Sequence, residues 1–195
     1  MIFSRAISFV SLLTVFLSFT FVAANPAAFA GARSDVFTVG KRQDTDITSI
    51  LTDLQSQVGQ ILPQIDTLVA NGNANDATVT PLINQLTSAI GTSNDNLNKL
   101  PEDKKHKGDK DEIAKIIAFI VTDITKTLNG LLLSGAFIPG LGALLVTVDV
   151  VLNKLLTGVE LLLAGVLKLV AVLLVDVALL LKSISFGLVL AALGF

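Results

Sequence analysis

Residues 113–195 are apolar almost throughout, and this stretch limits most strongly how the chain can fold. After residue 140 the only charged side chains are Asp149, Lys154, Glu160, Lys168, Asp176 and Lys182. Their charges sum to zero, and on one continuous helix they would lie within about half of the circumference, at about 100° per residue. The rest of such a helix is Leu, Val and Ala. It must therefore be covered by other protein, by lipid or by an apolar surface.

Residues 43–112 are polar by contrast, and their apolar side chains recur at helical spacing. One stripe runs from Ile47 to Val69 in steps of three and four, and a second runs from Val79 to Leu100. The run of Asn, Gly and Ala at 70–76 between them shows no helical periodicity and predicts a turn. Two amphipathic helices joined by a short loop form an antiparallel hairpin.

The ends of these two helices carry their own signals. Asp44 or Thr45 is expected to cap the first helix, and Pro63 is expected to kink or break it. Thr80 is expected to cap the second helix, with Pro81 at the first helical position.

The pattern of residues 101–195 also predicts helices. Residues 101–112 form a charged linker, and a further apolar stripe begins at Ile113. Glycine and proline at 135–142 predict a tight reversal. The sequence therefore predicts an all-α fold, in which an amphipathic hairpin (43–100) is followed by very apolar helices (113–195) in bundle-like packing.

The first residues predict entry into the secretory pathway. Residues 1–24 have the basic start, apolar run and small-residue cleavage site of a signal peptide, with cleavage expected after Ala24. Residues 25–42 then form a pro-segment that ends in Lys41-Arg42, a dibasic site of the kind that kexin-type proteases cut. We expect a secreted protein of the cell wall or extracellular space.

Residues for catalysis are scarce. The chain has no cysteine and a single histidine, His106, which is placed among lysines and expected to be a solvated loop residue. We assign no catalytic, cofactor-binding or metal-binding residues and expect no enzymatic activity. The net charge of −2 gives no reason to expect nucleic-acid binding. The phenylalanines of the apolar half are expected to lie in the core.

The longest apolar run, Leu161–Leu181, has the length of a membrane span. Lys168 and Asp176 inside it would each cost roughly 2.5–3.5 kcal/mol near the centre of a bilayer, which makes insertion marginal. The charge-free run Leu169–Val175 is typical of self-associating segments. We take Leu163, Val166 and Leu173 as the candidate interaction surface.

This architecture resembles the cysteine-free secreted wall proteins of mushroom-forming fungi. The resemblance rests on the signal peptide, the Lys41-Arg42 site, the hydrophilic half and the apolar half, so it covers the whole chain without a sharp motif. It implies roles in aerial hypha formation and attachment to hydrophobic surfaces. Asp44–Ile90 is also similar to fungal hydrophobic-surface-binding proteins, which lack so apolar a C-terminal half. A hydrophobin is excluded because cysteine is absent.

Together these features favour a secreted amphiphilic structural protein that assembles with itself and adsorbs at hydrophobic or air–water interfaces. Cell-wall polysaccharide and lipid are further candidate partners. Two alternatives stay open. A lipid carrier would enclose a cavity between the apolar helices, and a membrane-inserting protein would place them in a bilayer.

Overall fold

The computed structural model describes residues 46–195. The predicted processing residues Ala24, Lys41 and Arg42 lie outside this range. The described residues form α-helices and no strand, which confirms the all-α prediction. The helices are α1 (Ile47–Ala70), α2 (Asp76–Asn98), α3 (Glu102–Lys105), α4 (Lys110–Leu133), α5 (Leu141–Leu162), α6 (Val166–Leu173), α7 (Ala178–Ser183) and α8 (Gly187–Leu193).

The first two helices begin one or more residues away from the predicted caps. Asp46 caps α1, and its carboxylate accepts the Ser49 backbone N–H at 2.7 Å. Asn75 caps α2 in the same way through the Thr78 backbone N–H. In both cases the hydroxyl three residues on also accepts the backbone N–H of the capping residue, so each start satisfies two donors.

The two prolines lie inside helices, which corrects the predictions for both. Helix α1 continues through Pro63 without a break, and Pro81 lies well inside α2. A proline has no N–H, so Pro63 cannot donate to the Gly59 carbonyl and Pro81 cannot donate to the Ala77 carbonyl. Helix packing on either side outweighs this loss.

Helices of the two sequence halves pack in parallel pairs. Helix α1 lies along α4, and the Thr127 hydroxyl donates to Asp66 near the ends of both. Helix α2 lies along α5, with Asn94 against Gly158 and Asp76 approaching Gly140. Helix α1 also packs on α2, and α6 and α8 complete the bundle on the faces of α4 and α5. The hydropathy boundary at 101–112 therefore does not divide the fold.

The predicted span Leu161–Leu181 is not one helix. Helix α5 ends at Leu162, and the chain turns through Gly165, whose φ of 92° lies in the left-handed region. Helix α6 follows, and then a 3-10 turn over Val175–Val177 leads into α7. Two other helices, Lys110–Leu133 and Leu141–Leu162, are long and apolar enough to cross a membrane by length and composition. About half of the most apolar stretch of each helix is buried inside the bundle.

Candidate functional site

The strongly exposed large apolar side chains of residues 46–195 all come from the apolar half. Helices α1 and α2 bury their stripes in a single core shared with α4–α8. Helices α4–α8 bury comparable stripes but keep further apolar side chains outside. These are Phe119, Leu132, Leu133, Phe137, Val146, Leu161, Val172, Leu173, Val175, Leu179, Leu188 and Phe195. An exposed apolar surface on this scale is typical of an interaction site.

The three residues that sequence reasoning assigned to an interaction surface do not lie together on it. Leu163 and Val166 are buried in the core, where the chain turns from α5 into α6. Only Leu173 is exposed. The sequence could not separate these positions, because the stretch is apolar on every side and its helix phase changes at the Gly165 turn.

The phenylalanines were predicted to be core residues, and this prediction was wrong for most of them. Phe186 is fully buried. Phe119, Phe137 and Phe195 are exposed, and Phe137 keeps 86% of its surface in contact with solvent. Aromatic side chains that remain exposed are enriched where proteins meet partners or interfaces.

Four exposed side chains lie around the α4–α5 connection: Leu132, Leu133, Phe137 and Val146. We call this group the apolar tip. Leu132 and Val146 line a groove of about 260 Å³, whose other walls come from the start of α5 and the turn after α7. No charged residue occurs between 127 and 148. The apolar tip is thus a surface at one end of the bundle with no charge of its own.

A second exposed group runs along the side of the bundle. Val172 and Leu173 of α6 share a groove with Lys115 of α4, and Phe119 lies one helical turn beyond Lys115 on the same helix face. Lys168 lies one helical turn before Val172 on α6, and Asp176 lies in the 3-10 turn that follows α6; both are exposed. This side therefore carries charged as well as apolar groups.

The grooves between α1 and α2 have no charged residue in their lining, although Asp53 and Asp95 are exposed nearby on the same helices. Two open grooves run between these helices, with volumes of about 540 and 350 Å³. The second is lined largely by amides and hydroxyls. The lining of both consists of Gln57, Gln60, Ile61, Pro63, Gln64, Thr67, Leu68, Thr78, Pro81, Leu82, Gln85, Ser88, Ala89 and Thr92.

Two of the few charges in the apolar half hold its short helices. The buried Asp149 carboxylate accepts the backbone N–H groups of Leu188 and Val189, at 3.0 and 2.9 Å, where α8 begins. The Glu160 carboxylate accepts those of Gly165 and Leu167, at 2.7 and 2.9 Å, where α6 begins. These acids stabilise helix ends in the way that N-cap side chains do.

The charged linker is attached to the bundle at the opposite end from the apolar tip. His106 Nδ1 lies 2.8 Å from the Leu162 carbonyl oxygen, and Lys110 donates to the Ala164 carbonyl at 2.8 Å. His106 is an exposed residue of the linker, as the sequence predicts, and its ring also contacts the end of α5. Within the linker, a hydrogen bond from Lys105 holds the pKa of Glu102 below its ordinary value.

Within residues 46–195, no group of three or more histidine or acidic side chains is placed to hold a metal ion. The polar groups described above are instead used as helix caps or lie on the outer surface.

Fold and surface together define an all-α bundle whose strongly exposed large apolar side chains, within residues 46–195, come from the apolar half and not from the α1–α2 hairpin. No protein-family model matches the chain. Over 61 residues it is 44% identical to "Fruiting body differentiation protein 16" of Flammulina velutipes, a mushroom-forming fungus. The match covers 31% of this chain and 48% of the relative, so the chain matches about half of that protein's length. It supports a fungal origin.

Proposed function

We propose that this protein is a secreted amphiphilic structural protein of the fungal wall or hyphal surface, which adsorbs at hydrophobic interfaces and assembles with itself there. The observation that carries the proposal is the distribution of exposed apolar side chains, which come from α4–α8 and not from α1 or α2. Burial contributes about 25 cal/mol per Å² of apolar surface, so a modest contact area favours adsorption strongly.

The polar hairpin would give the adsorbed layer its wettable side. The groove along it is lined by glutamines, Ser88 and Thr92, which can hydrogen-bond to water or to neutral wall polysaccharide. The likeness to a protein named for fruiting-body differentiation supports a role in fungal development. In that setting the protein would coat aerial hyphae or attach them to apolar surfaces.

Tensiometry on the purified protein tests the proposal. We expect it to lower the surface tension of water well below the value reached by a soluble helical protein of equal size and concentration. Replacing four exposed apolar residues by serine (Phe119, Leu133, Phe137 and Leu179) should remove most of the effect. The matched control replaces four exposed amides of the hairpin by serine (Gln57, Gln60, Gln64 and Gln85) and should retain it. Surface tension no lower than that of the comparison protein would refute the proposal.

A lipid carrier is supported less well. The groove between apolar helices holds about 260 Å³, below the roughly 300–1,000 Å³ of typical ligand pockets. The groove of about 540 Å³ between α1 and α2 is within that range, but it is open to solvent and does not lie between the apolar helices. Lipid recovered with the purified protein in a fixed ratio, and seen by mass spectrometry, would favour the carrier over the interfacial protein.

Membrane insertion is the other alternative, and one observation favours it: α4 and α5 have the length and composition of spans. Insertion would require both helices to leave α1 and α2, on which they pack. Protease treatment of intact vesicles separates the two cases. Protection of residues 110–162 would support insertion, and complete digestion would support adsorption.

A further inference from the structure

Charge is distributed unevenly along the long axis of the bundle. Helices α1 and α4 run in parallel, as do α2 and α5, so the loops at 71–75 and 134–140 lie at one end. The linker at 99–112 and the turn at 163–165 lie at the other end, where His106 and Lys110 bond to the end of α5 and the turn.

The linker end carries most of the charge. Ten of the fourteen residues from Lys99 to Glu112 are acidic or basic. At the loop end, Asp76 is the one charged residue between 67 and 94, and there is none between 127 and 148. Lys182 lies in the last turn of α7, close to this end. The apolar tip therefore lies where the bundle has the fewest charges to desolvate.

From this segregation we propose that the protein adsorbs end-on, with the apolar tip in the hydrophobic phase and the linker end in water. The inference rests on the proposed function and identifies the apolar tip as the surface that contacts the hydrophobic phase. Entry of the α6 side would bring Lys115, Lys168 and Asp176 towards the apolar phase, at a cost that the tip avoids. The occupant of the tip is thus an apolar phase, such as a hydrocarbon surface.

The tip also has the shape for entry. Leu133 is 79% exposed and Phe137 is 86% exposed, and both precede the sharp reversal into α5. Each can be immersed without moving a helix. Phe137 lies in the loop between α4 and α5, so it projects from the end of the bundle and not from a helix side.

A matched pair of double variants tests the orientation. The tip variant is Leu133→Ser with Phe137→Ser. The control is Leu161→Ser with Val172→Ser, at residues that are 78% and 73% exposed but lie at the linker end and on the side. Binding to a methyl-terminated monolayer is followed with a quartz-crystal microbalance, and circular dichroism checks that each variant keeps its helices. The tip variant should bind about tenfold more weakly, and the control should bind like the unmodified protein.

Layer thickness gives a second, independent readout. Helices α1 and α4 have 24 residues each, so an upright layer should measure at least about 36 Å by ellipsometry. Two layers of helices lying flat would measure roughly 20–24 Å.

The outcomes are distinct. Equal losses in the two variants, or a thin layer, would overturn the end-on orientation and leave the proposed function standing. Sedimentation is run in parallel. If the unmodified protein is a dimer, and the tip variant is a monomer that adsorbs as well as the unmodified protein, the apolar tip binds a second copy of the chain. This result would also overturn the end-on orientation. Failure of the unmodified protein to bind would overturn the proposed function itself.

Discussion

At the scale of single residues, the charges in the apolar half serve the fold. Asp149 is 5% exposed and lies among leucines and valines, yet both of its oxygens accept backbone N–H groups of α8. A helix of seven residues is too short to be stable by itself, so its position depends on such contacts. In the sequence Asp149 looks like part of a thin polar strip, but in the structure it caps α8 from α5.

Replacing Asp149 therefore tests a named contact. Asp149→Ala should lower the free energy of unfolding by about 1–3 kcal/mol, because two N–H groups at the start of α8 lose their acceptor. Asp149→Asn keeps one oxygen and should lose less. Guanidinium unfolding followed by circular dichroism measures both. An alanine variant as stable as the parent would show that water replaces the carboxylate at no cost.

Asp123 should give the protein a pH-dependent stability. Burial raises its pKa, with Asp66 raising it further and Lys126 opposing. The folded state then holds a proton more tightly than the unfolded state. Asp123 thus contributes stability at low pH that is lost as pH rises from the ordinary aspartate pKa through the raised value.

The matching substitution is Asp123→Asn. The variant should unfold at a higher temperature than the parent at pH 7, and the gap should shrink at pH 3. Lys126→Gln removes the charge that lowers the pKa of Asp123. This variant should therefore lose more stability than the parent as the pH rises towards neutral. Thermal unfolding at the two pH values tests this. If the difference in unfolding temperature between Asp123→Asn and the parent were larger at pH 3 than at pH 7, the pKa of Asp123 would not be raised in the folded protein.

At the scale of helices, the hairpin shows tertiary packing overriding local preference. Helix α1 keeps 24 residues with Pro63 inside it, because Ile61, Leu62 and Ile65 around the proline are buried in the common core. Packing of an amphipathic face supplies most of a helix's stability, and one missing hydrogen bond does not end it.

Pro63→Ala should consequently stabilise the protein. The substitution gives the Gly59 carbonyl a backbone N–H donor, and removing proline from a helix interior stabilises the helix by about 3 kcal/mol. Alanine also makes the unfolded chain more flexible, which offsets about 0.4–1 kcal/mol of this gain. We expect a net gain of about 2 kcal/mol in urea unfolding. Gln64→Ala at the neighbouring exposed position is the control and should change stability little. A loss in the proline variant would mean that α1 requires the proline geometry.

At the scale of the whole molecule, the two halves differ in composition but share one core. Ile47, Leu51 and Leu54 are fully buried, and α1 and α2 pack along α4 and α5. The polar half thus covers one side of the apolar half. The opposite side, around α6–α8, keeps apolar side chains exposed, and the proposed amphiphilic behaviour rests on this asymmetry.

Separate expression of the halves follows from this division. Residues 43–112 should stay in solution but lose helix content, since their stripes have no partner. Residues 113–195 should sediment and adsorb to an apolar bead, since the face that α1 and α2 cover becomes exposed. Mixing the two should restore helix content. If residues 113–195 behave as a dispersed monomer that ignores the bead, the amphiphile interpretation is wrong.

The sequence by itself determined the helical class and most of the buried stripes. The spacing in Ile47–Val69, Val79–Leu100 and Ile113–Leu131 specifies which face turns inwards, because those helices have a polar face for contrast. The breaks at 71–75 and 134–140 were also predictable, since glycine, proline and asparagine mark them.

Only the tertiary structure decided which apolar residues of 141–195 stay outside. A helix that is apolar all round has no polar face, so its sequence does not show which side is buried. Leu163 and Leu173 therefore look alike in the sequence, although Leu163 is buried and Leu173 is exposed. The turn at Gly165 changes the direction in which the later side chains point, and the packing of α6–α8 on α4 and α5 determines which of them are buried. The apolar tip exists because the bundle has an end there, and that depends on how the helices pair.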